Sequence, residues 1–252
     1  MKRLLLTVVA TGFVLGVAPA AQTPHDWPTV GNDPGGMKYS TLSQITPANV
    51  TQLAKAWTYD LGAPATGYTI TPIVVNNVMY LPVQGSTIVA LQADSGKELW
   101  KRDLKTLPDI GPNPSAGGRG ISYWPGTAET GPRIVIATTN GFLVQLSART
   151  GAPVPGPAGL VNLSTGIMEK FGGTYSTNMP PALYKNLAII AARTGEQGRW
   201  GLPGDPRAFN LLTGKEVWRF HVVPHPGDEN FGTWGLNGWQ DRRGPGVWIP
   251  MT

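Results

Sequence analysis

Cysteine is absent from all 252 residues. That excludes disulfides, thiolate nucleophiles, sulfur-held metals and haem attachment through a Cys-x-x-Cys-His motif. Any metal must be held by oxygen or imidazole. Charge is also sparse, with Asp, Glu, Lys and Arg at 14% of the chain. The Lys and Arg residues are scattered without a dense run, which argues against nucleic acid as a partner. After the first twenty or so residues, no stretch is apolar enough to span a bilayer. What is abundant is 33 Gly, 24 Pro and nine Trp. This mix suits many short strands joined by tight turns and argues against helical bundles.

The N-terminus reads as a targeting segment. Lys2 and Arg3 precede an apolar run from Leu4 to Val17, and Ala18-Pro19-Ala20 offers small residues for cleavage near Ala20 or Ala21. A secretory signal peptide over residues 1–21 is expected, with a short membrane anchor as the alternative. The mature chain, 22–252, would be exported to the periplasm. Its net charge falls from +5 to +3 once Lys2 and Arg3 are set aside.

Internal similarity is the strongest signal. Pro72-Ile73-Val74-Val75, Val78-Met79-Tyr80 and Ala90-Leu91 lead to Ser95-Gly96-Lys97-Glu98-Leu99-Trp100. Arg133-Ile134-Val135-Ile136-Ala137 and Leu143-Val144-Gln145-Leu146 lead to Arg149-Thr150-Gly151. Pro181-Ala182-Leu183, Leu187-Ala188-Ile189-Ile190 and Ala208-Phe209-Asn210-Leu211 lead to Thr213-Gly214-Lys215-Glu216-Val217-Trp218. Apolar β-branched runs bounded by Gly, Asn, Asp and Ser read as strands and turns. The glycines supply the positive φ of a hairpin turn. The Trp at a fixed offset is expected to stack on the next unit's turn.

Such a repeat is the signature of a propeller blade, and an ordinary sandwich is the alternative. Val50 to Trp57 ends in the same kind of Trp and reads as the outer strand of a blade whose other strands lie elsewhere. The fold class expected is all-β, a partial β-propeller of about four blades. The strand-like run Gly246-Val247-Trp248-Ile249-Pro250-Met251 carries the expectation that the repeats continue past Thr252.

Several segments resemble the quinoprotein dehydrogenases that use pyrroloquinoline quinone (PQQ), glucose and alcohol dehydrogenases of the membrane type. They are Asp26-Trp27-Pro28, Gly35-Gly36-Met37-Lys38-Tyr39-Ser40 and Ile45-Thr46-Pro47-Ala48-Asn49-Val50, together with the Trp-bearing repeats. Arg119-Gly120-Ile121-Ser122-Tyr123-Trp124 and Gly244-Pro245-Gly246-Val247-Trp248 resemble cofactor-contact motifs. The resemblance implies an eight-bladed, tryptophan-docked propeller whose axis binds a flat, tricyclic, triply acidic ortho-quinone.

Residue by residue, the resemblance implies the following roles. Arg119 pairs with the quinone and its carboxylate, where a guanidinium gives bidentate bonds that Lys does not reproduce. Thr138 donates a hydroxyl to a cofactor carboxylate. Trp248 forms the floor under the ring. Glu196 is a metal ligand, of the hard oxygen type that suits Ca2+ (or Mg2+), and the metal polarises the quinone oxygen. Arg193 departs from the family's pattern and could itself pair with a cofactor acid. Thr69 stands where the family has a glutamate before the first-blade Pro. Asn113 and Pro114 stand near the place of an adjacent cysteine pair found in many alcohol-oxidising members. The lack of that pair favours a sugar substrate. The family's catalytic aspartate and metal-ligating asparagine belong to a later blade, so this chain alone is expected to be inactive.

Without a haem motif, electrons would leave to a separate membrane quinone or cytochrome. His221 and His225 have a spacing of four that serves metal binding on a helix, but Pro224 argues against a helix there. Asp26 and Asp33 read as turn residues. A non-catalytic propeller scaffold and a sugar-binding module remain alternative readings of the same fold.

Overall fold

A computed structural model describes residues 26–62, 70–83, 85–167, 175–195, 200–234, 238–247 and 249–251. The expected signal peptide, Thr69, Glu196 and Trp248 lie outside the described residues. Among the described residues there is no α-helix, only strands and short 3₁₀ turns.

Three four-stranded antiparallel sheets follow one another, each with its strands in chain order. The first contains β1 (Ile73–Val75), β2 (Val78–Pro82), β3 (Thr87–Gln92) and β4 (Glu98–Asp103). The second contains β5 (Ser122–Trp124), β6 (Arg133–Ala137), β7 (Phe142–Ser147) and β8 (Leu160–Asn162). The third contains β9 (Ala182–Tyr184), β10 (Leu187–Ile190), β11 (Arg207–Asn210) and β12 (Glu216–Arg219).

The turns follow from residue type. Asn76 and Asn77 both take positive φ, 51° and 61°, as a two-residue hairpin loop between β1 and β2 requires. The sheets stack face to face, so a central strand is apolar on both sides. In β6, Ile134 and Ile136 enter the core shared with the first sheet, which also holds Ile73, Ile88 and Leu146. Val135 and Ala137 enter the core shared with the third, beside Leu143, Ile190 and Phe209. The unbroken apolar run 134–137 is therefore a strand buried on both faces, with successive side chains on opposite sides. On the far face of the first sheet, Trp57, Tyr59 and Leu61 cover Val83, Val89 and Leu91. Three blades are thus complete, and the extended segment 57–61 stands where the outer strand of a fourth would lie.

The seams confirm the expected Trp docking at two positions. Trp57 donates from Nε1 to the Ala93 carbonyl at 3.1 Å, and Trp100 to that of Ala148 at 2.9 Å. A Cβ on Gly96 would stand 2.5 Å from the Trp57 ring, and one on Gly151 would stand 2.5 Å from the Trp100 ring. Both glycines also have positive φ, so only Gly fits. The seam between the second and third sheets is different. Pro157 and Ala158 lie against Gly214, so no Trp covers that glycine; Trp124 crosses the seam elsewhere, donating from Nε1 to the Lys185 carbonyl at 2.8 Å. Buried Arg133 bonds Gln145 Oε1 and the Leu211 carbonyl, each at 2.8 Å. Gln145 Nε2 reaches the carbonyls of Ala158 (2.7 Å) and Leu211 (3.0 Å). The guanidinium of Arg133 rests 5.1 Å from the Trp124 ring.

Candidate functional site

The blades are tied together by a row of irregular segments. Ala116 bridges Thr138, the Gly117 N–H donates to Ala137 (3.3 Å), and the Thr139 N–H donates to Ser115 (2.9 Å). The Thr138 carbonyl then accepts from the Thr177 hydroxyl at 3.0 Å. The Arg193 N–H donates to the Ser176 carbonyl at 2.8 Å, and the Val247 N–H to the Ala192 carbonyl at 3.4 Å. At Gly117 the contact is main chain against main chain, since a Cβ there would lie 2.5 Å from the Asn178 carbonyl carbon. The row brings together the segments of Arg119, Thr138 and Arg193, along with Val247, the residue before Trp248.

Arg119 sits in the turn between Gly117 and Gly120, closed by a Gly120 N–H to Gly117 carbonyl bond of 3.4 Å. Its side chain is half-buried, and that of Arg193 is exposed. Among the described residues no acceptor takes a hydrogen bond or ion pair from either guanidinium. These two donors fit an acidic ligand.

Thr138 is fully buried, and its hydroxyl works within its own turn. It donates toward Asn140 Oδ1 (2.6 Å) and accepts from the Phe142 N–H (2.9 Å). Its other neighbour is the Phe142 carbonyl at 3.2 Å. Asn140 in turn donates to the carbonyls of Ile110 (2.7 Å) and Pro112 (3.1 Å), which fixes the loop leading to Asn113 and Pro114. The geometry at hand therefore shows Thr138 shaping the row.

Among the described residues, no group of three or more His, Asp or Glu could hold a metal. His221 and His225 are stacked with ring centroids 3.9 Å apart. Asp228 Oδ2 lies 2.9 Å from His221 Nδ1 and accepts from the His225 N–H at 2.6 Å. The backbone bond from His225, then those with the His221 ring, hold the Asp228 carboxyl below its ordinary value. Asp33 accepts from the Gly35 N–H at 2.7 Å, as a turn residue does. Asp26 instead reaches across to the β1–β2 hairpin, accepting from the Asn76 N–H at 2.9 Å.

A cavity of about 620 Å³ lies beside the row. It is lined by Thr29, Val30, Ser122, Tyr123, Pro181 and Met251, among others. The sequence reading missed one arginine of the row, Arg243. Its signal was the pair of glycines at 195 and 201, which leave room for a long side chain.

These features define an all-β propeller with Trp-docked blades and a cationic inter-blade row. The chain belongs to the PQQ-dependent dehydrogenase family: the model described as "Glucose/ethanol/alcohol dehydrogenase, beta-propeller domain" matches residues 27–252. The chain is 31% identical to the dehydrogenase subunit of alcohol dehydrogenase (quinone) from Gluconobacter oxydans (strain 621H), over 94% of this chain and 32% of that protein. It is 30% identical to quinohemoprotein alcohol dehydrogenase from Comamonas testosteroni, over 93% and 32%. The crystal structure of the Comamonas testosteroni enzyme superposes with a TM-score of 0.67 at 30% identity, covering 85% of this chain and 30% of that one. The chain spans about a third of the length of the curated relatives it matches.

Proposed function

We propose that this chain supplies part of the PQQ site of a periplasmic dehydrogenase acting on CH–OH donors, a glucose-like sugar or a primary alcohol. The observation that carries the reading is the hydrogen-bonded row, which ties the segments of Arg119 and Arg193 together through those of Thr138 and Thr177 and leaves both guanidiniums with no described acceptor. Bidentate, charge-assisted bonds to carboxylates are what guanidiniums do best. Bound PQQ would accept two electrons from the alcohol carbon. The chain's own residues would orient the cofactor: Arg119 and Arg193 would hold its acids, Thr69 would take the place of the family's glutamate, and Trp248 would form the floor under the ring. Thr138 either fixes the loop or exchanges Asn140 for a cofactor carboxylate. Glu196 is the ligand for Ca2+ or Mg2+. A membrane quinone or a cytochrome takes the electrons, and residues 1–21 direct export.

Titration of the chain with PQQ and Ca2+, followed by tryptophan fluorescence and quinone absorbance, tests this. Saturable binding that weakens about tenfold or more in Arg119→Ala is expected. The absence of saturable PQQ binding, or glucose binding that ignores PQQ, would leave a scaffold or a sugar-binding module.

A further inference from the structure

Arg243 precedes the Gly244-Pro245-Gly246-Val247 segment, and its side chain lies against Gly195 and Gly201. A Cβ at Gly195 would stand 2.8 Å from Arg243 Nη1, and one at Gly201 would stand 3.3 Å from its Cδ. The main chain beside it is fixed to the third blade. The Gly204 N–H donates to the Arg243 carbonyl at 3.1 Å, and the Val247 N–H to that of Ala192 at 3.4 Å. Between these bonds, Gly246 runs so close to Thr194 that a Cβ on it would lie 2.6 Å from the Thr194 nitrogen.

Arg243 is half-buried, and among the described residues no acceptor takes a hydrogen bond or ion pair from its guanidinium. A cation drawn partly out of water without an acceptor is unfavourable, so the position calls for an anion. In the row the Thr138 and Thr177 segments lie between those of Arg119 and Arg193, whereas Arg243 Nη1 reaches Gly195, two residues from Arg193. One ligand of modest size can touch Arg193 and Arg243 together.

We propose that Arg243 is a further cation of this site and, beside Arg193, binds one carboxylate of a planar polycarboxylate ligand. The inference rests on the PQQ reading above and adds a residue to it. Its side chain packs against Gly201 through Cδ and against Gly195 through Nη1, which presets its direction and limits the entropy lost on binding.

The test compares PQQ with its trimethyl ester, titrated into the wild-type chain and into Arg243→Ala, Arg243→Gln and Arg243→Lys. Arg149→Ala, an exposed position on the second-blade turn, is the control. Expected is a loss of about tenfold or more for PQQ in Arg243→Ala and Arg243→Gln, partial recovery in Arg243→Lys, and no change in Arg149→Ala. The ester should bind wild type and Arg243→Gln alike, because the lost partner is a charge. Equal PQQ affinity in wild type and Arg243→Gln overturns the proposal, as does an equal loss for acid and ester, which marks a packing role. If the wild-type chain binds no PQQ, the functional reading itself falls. That result is distinct from binding that ignores Arg243.

Discussion

The two inter-blade seams solve one problem with opposite chemistry. Between the first and second sheets, the Trp100 ring lies on Gly151 and its indole N–H reaches the Ala148 carbonyl. Between the second and third, Arg133 and Gln145 converge on the Leu211 carbonyl while Pro157 and Ala158 lie on Gly214. The first seam is an aromatic plug whose strength comes from buried area. The second is a buried polar network in which Arg133 Nη1 and Gln145 are paired while Arg133 Nε has no hydrogen-bond partner, and its strength comes from hydrogen bonds in a low-dielectric core. Although Trp124 of β5 also crosses the second seam to the Lys185 carbonyl, a blade repeat does not demand a Trp on its turn glycine. It demands that the next blade's turn carbonyls be satisfied and its glycine covered.

Mutations at the two seams should separate these modes. Trp100→Ala is expected to have the largest effect, a loss of about 3–5 kcal/mol in urea unfolding, because it removes a large buried side chain and leaves a cavity. Arg133→Ala should cost less, about 2–3 kcal/mol. A loss equal to that of Trp100→Ala would show that the polar seam matches the aromatic one in strength.

A pH effect smaller again is expected from the third blade. Arg207 bonds Glu216 Oε2 at 2.6 Å and the Leu163 carbonyl at 2.7 Å, while Arg219 bonds Glu216 Oε1 at 2.9 Å. Burial alone would raise the Glu216 carboxyl. The hydrogen bonds and charges of Arg219 and Arg207 outweigh it and hold the group below its ordinary value of 4.5. Because the folded value is the lower one, the stabilisation is fully present above about pH 4.5 and is lost as pH falls through the folded value. Thermal melts between pH 3 and 6 should show Glu216→Gln flattening part of this slope. The smallest effect belongs to Trp218, the sequence counterpart of Trp100, which is 39% exposed. Trp218→Ala should cost under about 1 kcal/mol in the same unfolding measurement.

The sequence revealed what repeats and hid what does not. The hairpins at Gly96, Gly151 and Gly214 and the docking of Trp57 and Trp100 were legible because glycine with positive φ and an indole at fixed spacing have few other uses. The strand β8 was not, since Pro153 to Gly159 separates it from its turn and breaks the pattern. The burial of Arg133 and Arg207 carries no mark in the sequence; it is made tolerable by the Leu211 and Leu163 carbonyls, distant in sequence, together with Gln145 and Glu216. Thr138 was picked out by resemblance, but the Asn140 partner that occupies its hydroxyl emerges only once the turn is built. Arg243 was overlooked because its neighbours, Gly195 and Gly201, lie more than forty residues before it.

Gly117 carries a consequence for how this protein can vary. Its α-carbon meets the Asn178 backbone with no side chain between them, so the offset between the second and third blades at that level is set by main-chain thickness. Side chains on either flank can drift without moving Arg119, while any residue larger than hydrogen at position 117 acts as a wedge between the blades. Tolerance to change around this point should be broad, with an abrupt edge at one atom.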